Sequence, residues 1–483
     1  ESNVAADEVA TLPDPQPPAG DPPPANDPPP ANNPPPADDN GGSLQAVISA
    51  TPTSGRAALT VDVTGVQSTS PGQITSYSWD FDDGNVVEVA SASHVYTQPG
   101  TYNVTLTVRD DQGTENSSST RISVFDANAR LLYVNNSGSP ACSDSTSYQD
   151  NSESRPWCTL LRAVRGNSDG NRNSPGVSSQ AAQPGDTVLV SAGTYNYGGP
   201  AYNSDIWIGV FYDPINSGWP DAWIEFRADG VVNLTGNRSG SAAMIGSNLA
   251  QYIKWTGFTL NQAMSSFLNG LVIASADNIW FEGNTIVGEH TVFPVGMHDN
   301  HAGIMVHGPR DRDCTGGISN ITISNNSITG WTGGSSTNDS AITLYCLGEN
   351  ILIENNDILD NRTGIYAKSN YRDNRNITIR RNRFANNGGD AILVQAFSDW
   401  YVYQNIMENN QTGFTFFPTE YFVGATKPHG VYVVNNTMVG NSVGIFFRSL
   451  CRNMSDNHVV NNIITGPTAL ETHDTDCTTA ENM

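Results

Sequence analysis

The stretch Ile379-Arg380-Arg381-Asn382-Arg383-Phe384-Ala385-Asn386-Asn387-Gly388-Gly389-Asp390-Ala391-Ile392-Leu393-Val394 is followed, after residues 395–401, by Val402-Tyr403-Gln404-Asn405-Ile406-Met407-Glu408-Asn409-Asn410-Gln411-Thr412-Gly413-Phe414-Thr415-Phe416. The two share an apolar residue, an asparagine three positions later, a second asparagine five positions on, and a small residue opening an apolar run. Working outward, the first asparagine recurs as Asn284, Asn326, Asn356, Asn382, Asn405, Asn436 and Asn462, at intervals of 42, 30, 26, 23, 31 and 26. The apolar residue before it recurs as Phe281, Ile323, Ile353, Ile379, Val402, Val433 and Val459, and the second asparagine as Asn361, Asn387, Asn410 and Asn441. A constant signature with variable length between copies means stacked coils whose loops differ. Stacked asparagine amides can bond one another across the ~4.8 Å between adjacent strands. The regular leucines of a leucine-rich repeat are absent, and a propeller needs longer, more uniform units. A parallel β-helix is predicted.

Each coil carries a further strand, opened by Gly270, Gly303, Ala341, Gly364, Ala391, Gly413 or Gly444. Side chains alternate along a strand, so the first and third positions, which are apolar throughout, must face inward. The second and fourth then face out. They include Met305, Thr343, Tyr366, Leu393 and Phe446 in one row and His307, Tyr345, Lys368, Gln395, Phe417 and Arg448 in the other. Aromatic rings beside hydrogen-bonding groups suit a glycan, which predicts Tyr345, Gln395, Phe417, Phe446, Arg448 and the outward Arg380 as substrate-binding residues. The alternative is that the long segments Phe293–Gly317 and after Phe417 cover this face and make it a second core. Arg362, Lys368, Arg372, Arg375, Arg380, Arg381 and Arg383 cluster within two coils. They suit either an anionic polysaccharide or pairing with Glu354, Asp357, Asp360 and Asp373. If the site is catalytic, Lys368, Arg372, Tyr366 and His307 are the candidates: a lysine base, a cation for the uronate carboxylate, and a tyrosine acid for β-elimination. Asp390 stands alone ahead of its strand. No metal assignment follows from the sequence. Asp299, Asp311 and Asp313 are a weak candidate for Ca²⁺, and His298, His301 and His307 read better as a polar loop than as a metal site.

Two segments resemble known families. Tyr77-Ser78-Trp79-Asp80-Phe81-Asp82-Asp83-Gly84, His94-Val95-Tyr96 and Pro99-Gly100-Thr101-Tyr102-Asn103-Val104 resemble a PKD domain, with Asp82 where the family has its first loop glycine. The resemblance implies an immunoglobulin-like β-sandwich with Trp79, Phe81, Val104, Leu106 and Val108 inside. Pro184-Gly185-Asp186-Thr187-Val188 through Ala192-Gly193-Thr194-Tyr195 resembles the opening of secreted right-handed β-helix proteins of the alginate-lyase and chondroitinase-B type. That resemblance implies that this element is the first strand above a cap. The expected fold is therefore all-β, in three parts: a proline-rich extended arm at 1–44, a PKD-like sandwich at 45–126, and a right-handed parallel β-helix with an N-terminal cap at 127–483.

The arm repeats DPPPAN, DPPPAN and NPPPAD over residues 21–38. Prolines fix φ and remove donors, so it should be polyproline II, either a spacer or a strap onto an identical subunit in an oligomer or extracellular filament. Cysteines fall in three sequence-local pairs, Cys142/Cys158, Cys314/Cys346 and Cys451/Cys477, none with zinc or haem spacing, which favours three disulfides and an oxidising compartment. A net charge of −25 argues against nucleic acid as a partner. No apolar run reaches the ~18 residues of a membrane span, and the start at Glu1 is what a processed mature protein would show. Two functions remain open. One is a secreted or cell-surface β-helix protein with a structural, assembly or glycan-binding role. The other is a polysaccharide lyase acting on an anionic polymer.

Overall fold

The computed structural model describes residues 43–166, 178–197, 202–203, 209–236, 242–262, 269–288, 301–308, 317–332, 339–368, 375–395, 398–417, 429–448 and 456–472. The proline-rich arm therefore lies outside the described residues. The chain forms two compact units.

Residues 43–125 carry a three-stranded sheet (Ser49–Thr51, Leu59–Thr64, Ser91–Tyr96) and a five-stranded one (Ser54–Arg56, Glu115–Phe125, Gly100–Asp110, Ile74–Asp80, Val86–Val87). Trp79, Phe81, Val104, Leu106 and Val108 are all buried, as the alternation requires. Asp82 takes a left-handed φ of 58°, the conformation for which glycine is the usual choice, and its carboxylate accepts a bond from the Asn103 amide at 2.9 Å. Asp83 accepts from the His94 ring at 2.7 Å, and that ring stacks on Phe81 at 4.1 Å.

The second unit is a stack of parallel coils. One coil reads Arg375–Arg380, the corner at Asn382, Arg383–Ala385, the corner at Asn387, then Asp390–Val394. Each strand pairs in parallel with its counterpart one coil away, as Ile379 with Ile353 and Val402, or Ile392 with Ile365 and Phe414. The inward isoleucines, valines and phenylalanines form one continuous core from Leu132 to Phe447. The stack begins with Arg130–Val134, which pairs with Asp186–Val190, so the Pro184-Gly185-Asp186 element is the second rung rather than the first strand. The helix Leu160–Arg165 follows, N-capped by Thr159, whose hydroxyl accepts from the Arg162 amide at 3.2 Å, and contributes Leu160, Ala163 and Val164 to the core.

The predicted ladder is present. Each asparagine from Asn284 to Asn436 accepts from the main-chain or side-chain N–H of its predecessor or donates to its successor, as Asn356 Nδ2 to Asn382 Oδ1 (2.9 Å) and Asn382 Nδ2 to Asn405 Oδ1 (3.0 Å). The second column is bonded likewise, with Asn387 Nδ2 donating to Asn410 and Asn410 Nδ2 to Asn441. The residue before each ladder asparagine turns the corner with a positive φ between 53° and 61°, at Gly283, Asn325, Asn355, Arg381, Gln404, Asn435 and Asn461. That explains the paired asparagines of the sequence, since asparagine tolerates this conformation and also bonds the backbone. A third, exposed ladder (Asn278, Asn320, Asn350, Asn376) was not foreseen. Cys142 and Cys158 form a disulfide, and Cys346 is disulfide-bonded. Cys314, Cys451 and Cys477 lie outside the described residues.

Candidate functional site

The outward face of the third strand differs from strict alternation at its opening. A Cβ added at Gly303, Gly364 or Gly413 would point at Ile328, Phe384 or Met438, all core residues, and Ala341 and Ala391 are in the core themselves. The next residue, such as Ile304 or Ile365, is inward too. Two consecutive inward positions, repeated in register from coil to coil, put the preceding residue on the outer face with positions two and four. Side-chain bonds follow this grouping: Ser340 Oγ meets Thr343 Oγ1 at 2.7 Å, and Asp390 Oδ1 accepts from Thr415 Oγ1. Asp390 therefore belongs to the outward face and does not stand alone.

His307, Tyr345, Lys368, Gln395, Phe417 and Arg448 follow one another along a single row. His307 is in register with Tyr345, and the amides of Lys368, Gln395, Phe417 and Arg448 donate to Leu344, Ala367, Val394 and Phe416 of the preceding coils at 2.8–3.1 Å. Within it, the His307 and Tyr345 rings lie 4.7 Å apart, and the Arg448 guanidinium sits 4.4 Å from the Phe417 ring centroid. His307 Nδ1 is 2.7 Å from the Gly308 carbonyl. The companion row is closed rather than open. Tyr366 is only 3% exposed, Met305, Leu393 and Thr415 are buried as well, and Phe446 alone is half-buried among the aromatic positions of that row. At the N-terminal end of the sheet, Val210, Ala243, Val272, Ala274, Ala302 and Met305 form a separate apolar cluster outside the main core. Along the outward row His307, Tyr345, Lys368 and Phe417 are half-buried, Gln395 is buried and Arg448 is exposed.

Arg380 lies on a different sheet. Its Nε is 2.7 Å from Glu354 Oε2 and its Nη1 donates to the Tyr403 hydroxyl at 3.1 Å. Arg383 pairs with Glu408. These two arginines are engaged within the protein. Arg372, His298, Asp299, Asp311 and Asp313 lie outside the described residues. Among the described residues, no group of three or more His, Cys, Asp or Glu side chains is arranged to hold a metal ion.

The cleft that the coils do form runs along the corner between the short second strands and the outward face just described. Its volume is about 1160 Å³, and Asp360, Arg362, Asp390, Gln411, Phe446 and Arg448 line it. It extends from the coil of Val287 to that of Arg448, five steps of about 4.8 Å, or roughly 24 Å. Burial raises the Asp390 carboxyl above the ordinary carboxylate range, with hydrogen bonds from Thr415 and Thr412 and the charge of Arg448 partly offsetting it. The floor is backbone-rich: the Gly388 and Gly389 amides donate to the carbonyls of Asn361 and Arg362. The cleft thus offers an aromatic ring, two guanidinium groups, two carboxyls and several amides and hydroxyls along one line.

Two features escaped the sequence reading. Tyr401, Tyr432 and His458 stack ring on ring, at 5.2 and 4.7 Å, on the outward side of another sheet. Their spacing at one register position per coil was the available signal. His301 Nδ1 lies 3.0 Å from Asp339 Oδ1 in a buried pair, which nothing in the sequence linked.

Residues 45–124 match the model of the PKD domain, and residues 251–417 match that of the right handed beta helix region. Over 65 residues the chain is 42% identical to collagenase ColQ1 of Bacillus cereus, covering 14% of this chain and 7% of the collagenase. Over 71 residues it is 41% identical to the pre-pro-metalloprotease PrtV of Vibrio cholerae, covering 15% and 8%. The chain thus spans less than a tenth of the length of these relatives. Among solved structures, the PKD1 domain of Vibrio cholerae PrtV is 34% identical and covers 17% of this chain and 96% of that one, with a TM-score of 0.15. Pectate lyase Pel9A (14% identity, 70% and 81% covered, TM-score 0.39) and the Yersinia enterocolitica family 28 exopolygalacturonase (11%, 90% and 98%, 0.34) are similar over more of the chain. By sequence model and by coil geometry together, the chain carries a PKD domain at 45–124 and a right-handed β-helix region at 251–417.

Proposed function

We propose that this is an extracellular or cell-surface β-helix protein that binds a glycan chain along the corner cleft. The observation that carries the reading is the cleft itself: about 1160 Å³, drawn out over successive coils, with Phe446 and Arg448 at one end and Arg362 further along. An extended polymer needs such a line of sites, with apolar ring faces for stacking and fixed polar groups for hydroxyls. The extracellular setting is supported by the Cys142–Cys158 disulfide. In this reading the PKD domain links or tethers, and the proline-rich arm spaces the domains or straps identical subunits together.

The test is retention on immobilised polysaccharides, including polygalacturonate. Phe446→Ala and Arg448→Ala should each weaken binding by about tenfold, equal to about 1.4 kcal/mol. Wild-type retention that both variants match would remove the cleft from the account.

One observation favours a second reading, polysaccharide lyase. Lys368 stands partly exposed on the outward row between Tyr345 and Gln395, where a base acting on a bound uronate would stand. The buried Tyr366 weighs against it, because a proton donor must reach the leaving oxygen. A lyase would release unsaturated, ultraviolet-absorbing products from alginate, pectate or glycosaminoglycan, and Lys368→Ala would abolish them while sparing binding. A wild-type protein that binds polymer without releasing such products leaves the binding role.

A further inference from the structure

We propose that Asp390 sets the charge that the corner cleft shows to its ligand, so that the cleft takes an acidic glycan, a polyuronide, more tightly when that carboxyl carries a proton. The proposal rests on the glycan-binding reading above and names the class of glycan.

Asp390 precedes the two inward residues Ala391 and Ile392, which leaves it in the cleft wall, half-buried, where Thr415 on the next coil donates to it. Arg448, two coils along, lines the same cleft and is held over the Phe417 ring, so its charge is fixed in position rather than free to swing away. The charged groups facing Asp390 can be taken element by element. The corner of the preceding coil brings Asp360 and Arg362, and Asp390–Val394 adds no other. The strand Thr412–Phe416 brings only hydroxyls and rings, and Val443–Phe447 is followed by Arg448. Beyond them, Lys368 lies on the outward row of the preceding strand, and Glu471 is in register with Phe446 on the last strand.

With both carboxyls ionised, Asp360 and Asp390 balance Arg362 and Arg448, and the cleft is neutral. Protonating Asp390 leaves one net positive charge in a half-enclosed site, where water screens it less than at an open surface. It also removes a negative charge that would meet a uronate carboxylate. The direction of the Asp390 titration agrees: burial raises it above the ordinary carboxylate value.

The experiment compares binding of the full chain to polygalacturonate oligosaccharides and to a neutral homologue at pH 5 and pH 8. Uronate carboxyls stay ionised across that window. Wild type should bind polygalacturonate about tenfold more tightly at pH 5 and the neutral glycan equally at both. Asp390→Asn, checked for an unchanged melting profile, should bind polygalacturonate at pH 8 as wild type does at pH 5, without pH dependence. Wild-type affinity that is the same at both pH values overturns the proposal while leaving the cleft reading intact. A pH dependence that persists in Asp390→Asn also overturns it and moves the titration elsewhere. Failure to bind either glycan at any pH removes the glycan-binding reading, and this inference with it.

Discussion

Asn382→Ala is expected to destabilise the β-helix by about 3–5 kcal/mol. Asn382 is buried and makes five side-chain hydrogen bonds. Its Nδ2 donates to the carbonyls of Ile353 (2.9 Å) and Arg380 (3.0 Å) and to Asn405 Oδ1 (3.0 Å), while its Oδ1 accepts from the amide (3.0 Å) and Nδ2 (2.9 Å) of Asn356. Alanine would take the only acceptor of the buried Asn356 main-chain amide and one of three from Asn356 Nδ2, which keeps the Ile323 and Glu354 carbonyls, and would remove a donor from the Ile353 and Arg380 carbonyls. Each such group costs about 1–3 kcal/mol, less where a water can enter the space left behind. Asn462 provides the control. It accepts from the amide (2.9 Å) and Nδ2 (3.0 Å) of Asn436 and donates to Val433 O (2.8 Å), but it is half-buried and water can reach the groups it leaves, so Asn462→Ala should cost under about 1.5 kcal/mol. Urea denaturation of the three proteins checks both figures. A loss below about 1 kcal/mol at Asn382 would mean that the ladder records the fold without holding it.

That ladder is also why the architecture could be read before any coordinates. A buried amide must be bonded, the bond needs an identical amide one coil away, and so the residue recurs in a visible column. The left-handed corner adds Asn325, Asn355 and Asn435 beside it, doubling the signal. The candidate site was legible only in part. The row His307, Tyr345, Lys368, Gln395, Phe417 and Arg448 was found because it follows simple alternation. Asp390 was set apart because two inward residues at Ala391 and Ile392 break the alternation, and nothing in a row of glycines and alanines announces that both face inward. Tyr366 is buried on the outer face of its strand, so facing outward did not mean facing water. Arg380 read equally as part of a cationic surface or as a partner for Glu354, and the stack decides it by placing Glu354 one coil away at 26 residues' distance. Periodicity gives direction within a strand, whereas cover and pairing come from the stack.

Stability should fall as pH rises from about 4 to about 7 through a single carboxyl, Asp186, by about 3 kcal/mol. Asp186 is 3% exposed at the start of the second rung, accepting from the Tyr148 hydroxyl at 2.9 Å and the Gln183 amide at 2.7 Å. Burial outweighs those bonds and the charge of Arg130, and pushes its carboxyl from 3.8 up to about 6. The sign follows from linkage. A group whose folded value lies above its unfolded one holds its proton more tightly in the folded state. Its contribution is therefore fully present below pH 4 and is lost as pH rises through 6. Asparagine is nearly isosteric, can accept from Tyr148 and Gln183, and carries no charge. The stability of Asp186→Asn relative to wild type should therefore increase by about 2–3 kcal/mol between pH 4 and pH 7. Denaturant melts of both proteins at the two pH values measure that double difference, and other titrating groups common to both cancel. A difference that stays constant, or that moves the other way because the Asp186 carboxylate is held by Arg130, would show that burial does not dominate at this site.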